Sequence, residues 1–92
     1  MNQLEQLYQT LENRKTADPA SSYTARLMQM GEDEILKKIG EESIEVILAA
    51  KSQGDLRIIE ETADLTYHLL VLLVSRGITL EKIQEELKKR QK

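Results

Sequence analysis

Two short acidic patterns hold most of the chemistry available to this sequence. Residues 39–46 read I-G-E-E-S-I-E-V and residues 59–65 read I-E-E-T-A-D-L, so a glutamate pair followed by a third acid recurs nineteen positions later. On a helix, at ~100° per residue, Glu41, Glu42 and Glu45 share one stripe and Glu60, Glu61 and Asp64 share another. An acidic stripe alone is ordinarily the solvated face of an amphipathic helix. These two instead lie within apolar runs, with Ile44, Val46, Ile47 and Leu48 around the first and Ile58, Ile59, Leu65 and Leu69 around the second. A helix that is apolar nearly all round is expected to be buried, with its acidic strip turned toward a cavity or an ion.

All-oxygen donors without cysteine select a hard cation, Mg²⁺ or Mn²⁺ in preference to zinc. Glu42 with Glu45, and Glu61 with Asp64, are the i, i+3 pairs nearest the centre of each stripe and are the expected metal ligands. Glu41, at the edge, is expected to bind a second ion or to orient water, and Glu60 to be structural. Two charges about 6 Å apart repel by roughly 3 kcal/mol at an effective dielectric near 20, so stability does not explain such a cluster. Mg²⁺ is normally shared between one or two carboxylates and substrate phosphates, which makes a phosphate-handling site the natural reading.

Lys38 precedes Glu42 and Glu45 on the first stripe, and Arg57 precedes Glu61 and Asp64 on the second. Each can serve the site or simply pair with a neighbouring acid. His68 prolongs the second stripe; a lone histidine in a leucine-rich helix is more often a packing residue than a ligand or base. The Asp64–His68 spacing is also wrong for the Glu-x-x-His motif of di-iron bundles.

The elements that must position these groups are helices. Asn2 to Lys15 carries Leu4, Leu7, Tyr8 and Leu11 on one side, and Thr16 to Ser22, containing Pro19, forms a loop. Ser22 caps a short helix that Gly31 ends; its polar residues Tyr23, Thr24 and Arg26 are either caps and surface or ligand contacts. A long helix runs from Glu32 to Gln53, with acids in its first turn. Gly40 inside it costs about 1 kcal/mol relative to alanine, which anticipates close approach by a backbone or a ligand. Gly54-Asp55 ends that helix and caps the next, and so short a turn makes the two acidic helices antiparallel neighbours with facing stripes. The second runs from Asp55 to Ser75 with Gly77 beyond it, and Thr79 caps a last helix, Leu80 to Lys92. Its terminal Lys88, Lys89, Arg90 and Lys92 suit a helix C-terminus.

The 92 residues are 40% apolar and 32% charged, with no Phe, Trp or Cys and three Tyr, a palette suited to a helical core of Leu, Ile, Val, Met and Ala. The expectation is one all-α domain over residues 1–92, an antiparallel bundle of four to five helices that oligomerisation completes. A net charge of −3 and the shortage of aromatic side chains argue against polymeric nucleic acid as a partner. No apolar run approaches the roughly 20 residues that span a bilayer, so a cytoplasmic protein with no membrane partner is expected. The longest run, Leu69 to Val74, covers more than one helix face and is expected at the interface of an obligate dimer.

E-E-x-x-E at 41–45 followed by E-x-x-D at 61–64 resembles the signature of the all-α nucleoside triphosphate pyrophosphohydrolases, the group of MazG and the dimeric dUTPases. S-Y-T-A-R-L from Ser22, K-K-I-G-E-E from Lys37, A-A-K at 49–51, E-T-A-D-L, Y-H-L-L-V-L-L and S-R-G at 75–77 are similar, within that group, to the phosphoribosyl-ATP pyrophosphatases of histidine biosynthesis. The resemblance implies a MazG-like fold and Mg²⁺-dependent hydrolysis of the alpha-beta phosphoanhydride of phosphoribosyl-ATP, giving phosphoribosyl-AMP and pyrophosphate. It implies Glu42, Glu45, Glu61 and Asp64 at the metal, Glu41 ligating or positioning water, and Tyr23, Thr24, Arg26 and Lys38 as substrate contacts. It also implies a homodimer or higher homo-oligomer, without the cysteine-dependent cyclohydrolase to which this activity is often fused. The alternative is a housekeeping pyrophosphohydrolase acting on other nucleoside triphosphates; a non-catalytic cation-binding bundle is a further rival.

Overall fold

The computed structural model describes residues 2–91, and among these every regular element is a helix. They are α1 (Gln3–Arg14), α2 (Tyr23–Met30), α3 (Glu32–Ser52), α4 (Asp55–Arg76) and α5 (Leu80–Arg90). The all-α expectation is met. Among the described residues, no single helix is long and apolar enough to cross a membrane.

Local sequence sets the boundaries. Asn2, Ser22 and Thr79 each accept a bond from a backbone amide three residues on, those of Glu5, Ala25 and Lys82, which satisfies one of the orphan donors of a helix start. Gly54 separates α3 from α4 at φ 88°, a backbone angle that side-chain-bearing residues rarely adopt. The cap position of α4 is therefore Gly54, with no side-chain bond, and Asp55 is the first helical residue rather than a cap; its charge meets the positive helix end. Gly77 ends α4 in the left-handed conformation, with its own amide bonded to the Val74 carbonyl and the Ile78 amide to that of Leu73, 2.9 Å away. α4 thus extends one residue beyond the expected Ser75. α5 stops at Arg90, with Gln91 as its cap, short of the expected Lys92, which lies outside the described residues.

α3 and α4 form an antiparallel hairpin, the most extensive helix pairing in the chain. At the end away from the Gly54 turn, Arg76 clamps Glu32 through Nε and Nη2, 2.5 and 2.8 Å from the two carboxylate oxygens. α1 and α2 pack against this end of the hairpin. Tyr8 and Leu11 of α1, Leu27 of α2, Ile35 of α3, and Leu70, Val71 and Val74 of α4 make the core. The Tyr8 hydroxyl donates to the Ile78 carbonyl at 2.7 Å, fastening α1 to the α4–α5 corner.

Three expectations change here. The run Leu69 to Val74 is largely spent on the chain's own core: Leu70, Val71 and Val74 are buried, Leu72 and Leu73 are half-buried, and Leu69 alone is exposed. The uncovered apolar surface lies instead on the turn half of the hairpin, where Ile44, Ile47, Leu56 and Ile59 are 59–70% exposed. The acidic helices are therefore not enclosed within one chain. The radius of gyration, 14.3 Å, reflects the protruding hairpin, since a compact chain of this length has about 12 Å. Gly40, finally, is not approached by another backbone: a Cβ built there meets nothing within 4 Å.

Candidate active site

The antiparallel register of α3 and α4 brings Glu42 of α3 to His68 of α4, while Arg57 bonds Glu60 and Glu61 of its own helix. His68, buried on α4, sets Nδ1 2.5 Å from Oε1 of Glu42 on α3. The same nitrogen lies 3.1 Å from the Asp64 carbonyl one turn back. On its other side, Nε2 meets the Tyr23 hydroxyl at 2.9 Å, so residues of α2, α4 and α3 form one hydrogen-bonded chain. Tyr23 and Tyr67 both pack edge-on to the imidazole, with ring centroids 5.9 and 5.2 Å away. Burial, and then the negative charge of Glu42, raise the Tyr23 phenol above its ordinary pKa, with Arg26 opposing.

Toward the turn, Arg57 takes the place of the imidazole. Its Nη2 is 2.6 Å from Oε1 of the buried Glu61 and its Nη1 is 2.8 Å from Glu60. The Glu60 bond and then the Glu61 charge raise the guanidinium pKa, with a lesser contribution from Glu45 on the facing helix. Glu41, Glu45 and Asp64 are exposed, and Glu42 is half-buried. Among the described residues, no three acids or histidines converge on a single ion position. Glu61 is paired with Arg57 and Glu42 with His68.

The other expected residues divide. Tyr23 is partly accessible beside the acids. Thr24 is buried, its hydroxyl bonded to the Tyr67 hydroxyl. Arg26 is exposed and donates from Nη1 to the Pro19 carbonyl at 3.0 Å, directing it to the loop before α2. Lys38 is half-buried and, among the described residues, enters no ion pair. Sequence reasoning did not foresee the central place of His68 or the Thr24–Tyr67 bond. The available signal was the i, i+4 step from Asp64 to His68, which sets the histidine over the acidic stripe.

The family model described as phosphoribosyl-ATP pyrophosphohydrolase matches residues 4–91. The chain belongs to this family. It is by that membership a hydrolase. Among relatives of the family, the phosphoribosyl-ATP pyrophosphatase of Lactiplantibacillus plantarum is 52% identical over 91 residues, which cover 99% of this chain and 86% of that protein. That of Limosilactobacillus fermentum is 53% identical with the same coverage, and that of Trichlorobacter lovleyi is 52% identical over 87 residues, 95% of this chain and 81% of the relative.

Proposed function

We propose that this chain hydrolyses the alpha-beta phosphoanhydride of phosphoribosyl-ATP to phosphoribosyl-AMP and pyrophosphate, a step of histidine biosynthesis, with Mg²⁺ as its metal and Mn²⁺ as an alternative. The observation that carries this beyond family membership is the pairing of Arg57 with Glu61 and Glu60 at 2.6 and 2.8 Å: carboxylates that already draw one cation are suited to a stronger one. The donors are oxygens throughout, the set that a hard divalent cation takes. Glu42, Glu45, Glu61 and Asp64 are the residues assigned to hold it. When bound, the metal supplies positive charge to a polyphosphate that this acidic surface would otherwise repel.

The chain's own groups carry the rest. Glu41, exposed at the edge of its stripe, positions the attacking water and accepts its proton. The water oxygen bonds to the alpha phosphorus, the bond from that phosphorus to the bridging oxygen breaks, and pyrophosphate leaves without a covalent enzyme intermediate. Tyr23, Arg26 and Lys38 contact the substrate, and Thr24, whose hydroxyl is engaged, supports Tyr67. The unit is a single domain that works in the cytoplasm. The exposed Ile44, Ile47, Leu56 and Ile59 are the surface on which a second copy completes the bundle.

Phosphorus NMR of the products from phosphoribosyl-ATP tests the reaction. Pyrophosphate with phosphoribosyl-AMP is expected. Orthophosphate with a diphosphate product overturns the assignment of the bond, and equal turnover of ordinary nucleoside triphosphates moves the chain to the housekeeping alternative.

A further inference from the structure

We propose that His68 is a positioning residue that fixes the carboxylate of Glu42 for its ion, and that Tyr23 fixes His68 in turn. The inference rests on the reading of Glu42 as a metal ligand. Its basis is geometric. Nδ1 of His68 faces two acceptors, Oε1 of Glu42 at 2.5 Å and the Asp64 carbonyl at 3.1 Å, so that nitrogen carries hydrogen. The ring cannot turn away: it is 7% exposed, held at Nε2 by the Tyr23 hydroxyl at 2.9 Å, and flanked by Tyr23 and Tyr67 at interplanar angles of 87° and 81°. A glutamate on a helix surface otherwise samples many rotamers, and each ion it binds must select one. Here a bond from the opposite helix fixes Oε1 and leaves Oε2 to the ion. Outer groups that orient a ligating carboxylate in this way are worth about 10–100-fold in metal affinity.

A merely structural buried bond would stabilise the fold without setting metal affinity, and amide substitutions separate the two. The asparagine amide nitrogen falls near the place of Nδ1, whereas that of glutamine falls near Nε2. His68→Gln therefore keeps the Tyr23 side and loses Glu42; His68→Asn does the reverse. Mg²⁺ is titrated calorimetrically into metal-free protein without substrate. The expected result is about 10–100-fold weaker binding for His68→Gln and a smaller loss for His68→Asn, which keeps the Glu42 bond without the hold from Tyr23. Because His68 is the only histidine of the chain, its ring nitrogens give one NMR spin system. Hydrogen on Nδ1, with a resonance that shifts on Mg²⁺ addition, is expected; a bare Nδ1, or one indifferent to Mg²⁺, overturns the proposal.

Glu42→Gln separates the inference from its premise. If that variant binds Mg²⁺ as wild type does, the ligand reading of Glu42 fails. If it loses Mg²⁺ while both His68 variants bind normally, the ligand reading stands and the positioning role is overturned. Should the His68 variants not fold, Tyr23→Phe decides, since it removes only the hydroxyl that holds Nε2: weaker Mg²⁺ binding at an unchanged melting temperature supports the proposal, and unchanged binding overturns it.

Discussion

Arg57 lays its guanidinium against Glu61 at 2.6 Å, so the most buried acid of the second stripe has a cation of its own. The pairing has a cost in function, because an ion that takes Glu61 has to displace Arg57 or share the carboxylate with it. Arg57→Met should lower the melting temperature of the metal-free protein, by leaving Glu61 buried without a partner, and should enlarge the rise produced by Mg²⁺. Thermal melts with and without Mg²⁺ check both signs. An unchanged Mg²⁺ response would separate Arg57 from the metal equilibrium.

Glu45 is the opposite case, an exposed acid that enters no ion pair among the described residues. Glu45→Gln should leave the metal-free protein no less stable, since it breaks no ion pair, while suppressing the rise in melting temperature that Mg²⁺ gives the wild type. A full Mg²⁺ response in the variant would remove Glu45 from the ligand set.

Asp64 has an exposed side chain, and its tie to the site by hydrogen bond runs through its backbone carbonyl. Asp64→Asn should therefore fold normally, judged by circular dichroism, and lose at least ~100-fold in the rate of pyrophosphate release. A loss of less than tenfold would count against its assigned role.

The Glu32–Arg76 clamp gives a pH signature. Hydrogen bonding to Arg76 lowers the pKa of Glu32 in the folded protein below its ordinary value of 4.5. A group depressed on folding contributes stability that is present above its unfolded pKa and is lost as pH falls through the folded value. Urea midpoints measured from pH 7 downward should fall less steeply below 4.5 for Glu32→Gln than for the wild type. Parallel curves would show that the clamp adds nothing in solution.

The exposed apolar face on the turn half of the hairpin is the expected contact between two copies. Sedimentation velocity at low micromolar concentration should find a dimer for the wild type and a folded monomer for Ile47→Glu. A compact wild-type monomer would refute the arrangement.

What could be read from the sequence was whatever a few adjacent residues decide. Ser22 and Thr79 announce helix starts, and Gly54 and Gly77 announce ends, because capping and left-handed backbone are local matters. The acidic stripes were equally legible, being a consequence of helical period. Burial was not: Val71 and Ile47 are both aliphatic residues in apolar helices, yet one is covered by α1 and α2 and the other is not. The Tyr23–His68 bond joins residues 45 positions apart, and the choice of Glu61 by Arg57 is made among several nearby acids. Neither follows from spacing.

The hydroxyl of Tyr8 and the carbonyl of Ile78 are 70 residues apart in sequence, whereas α3 and α4 meet across a turn of two residues, Gln53 and Gly54. Loop closure makes the hairpin the early event and the docking of α1 the late one. On the ribosome the order of appearance is reversed: α1 emerges first and has no surface to pack on until α4 has cleared the exit tunnel. A helix made before α3 and α4 is thus locked after they have paired.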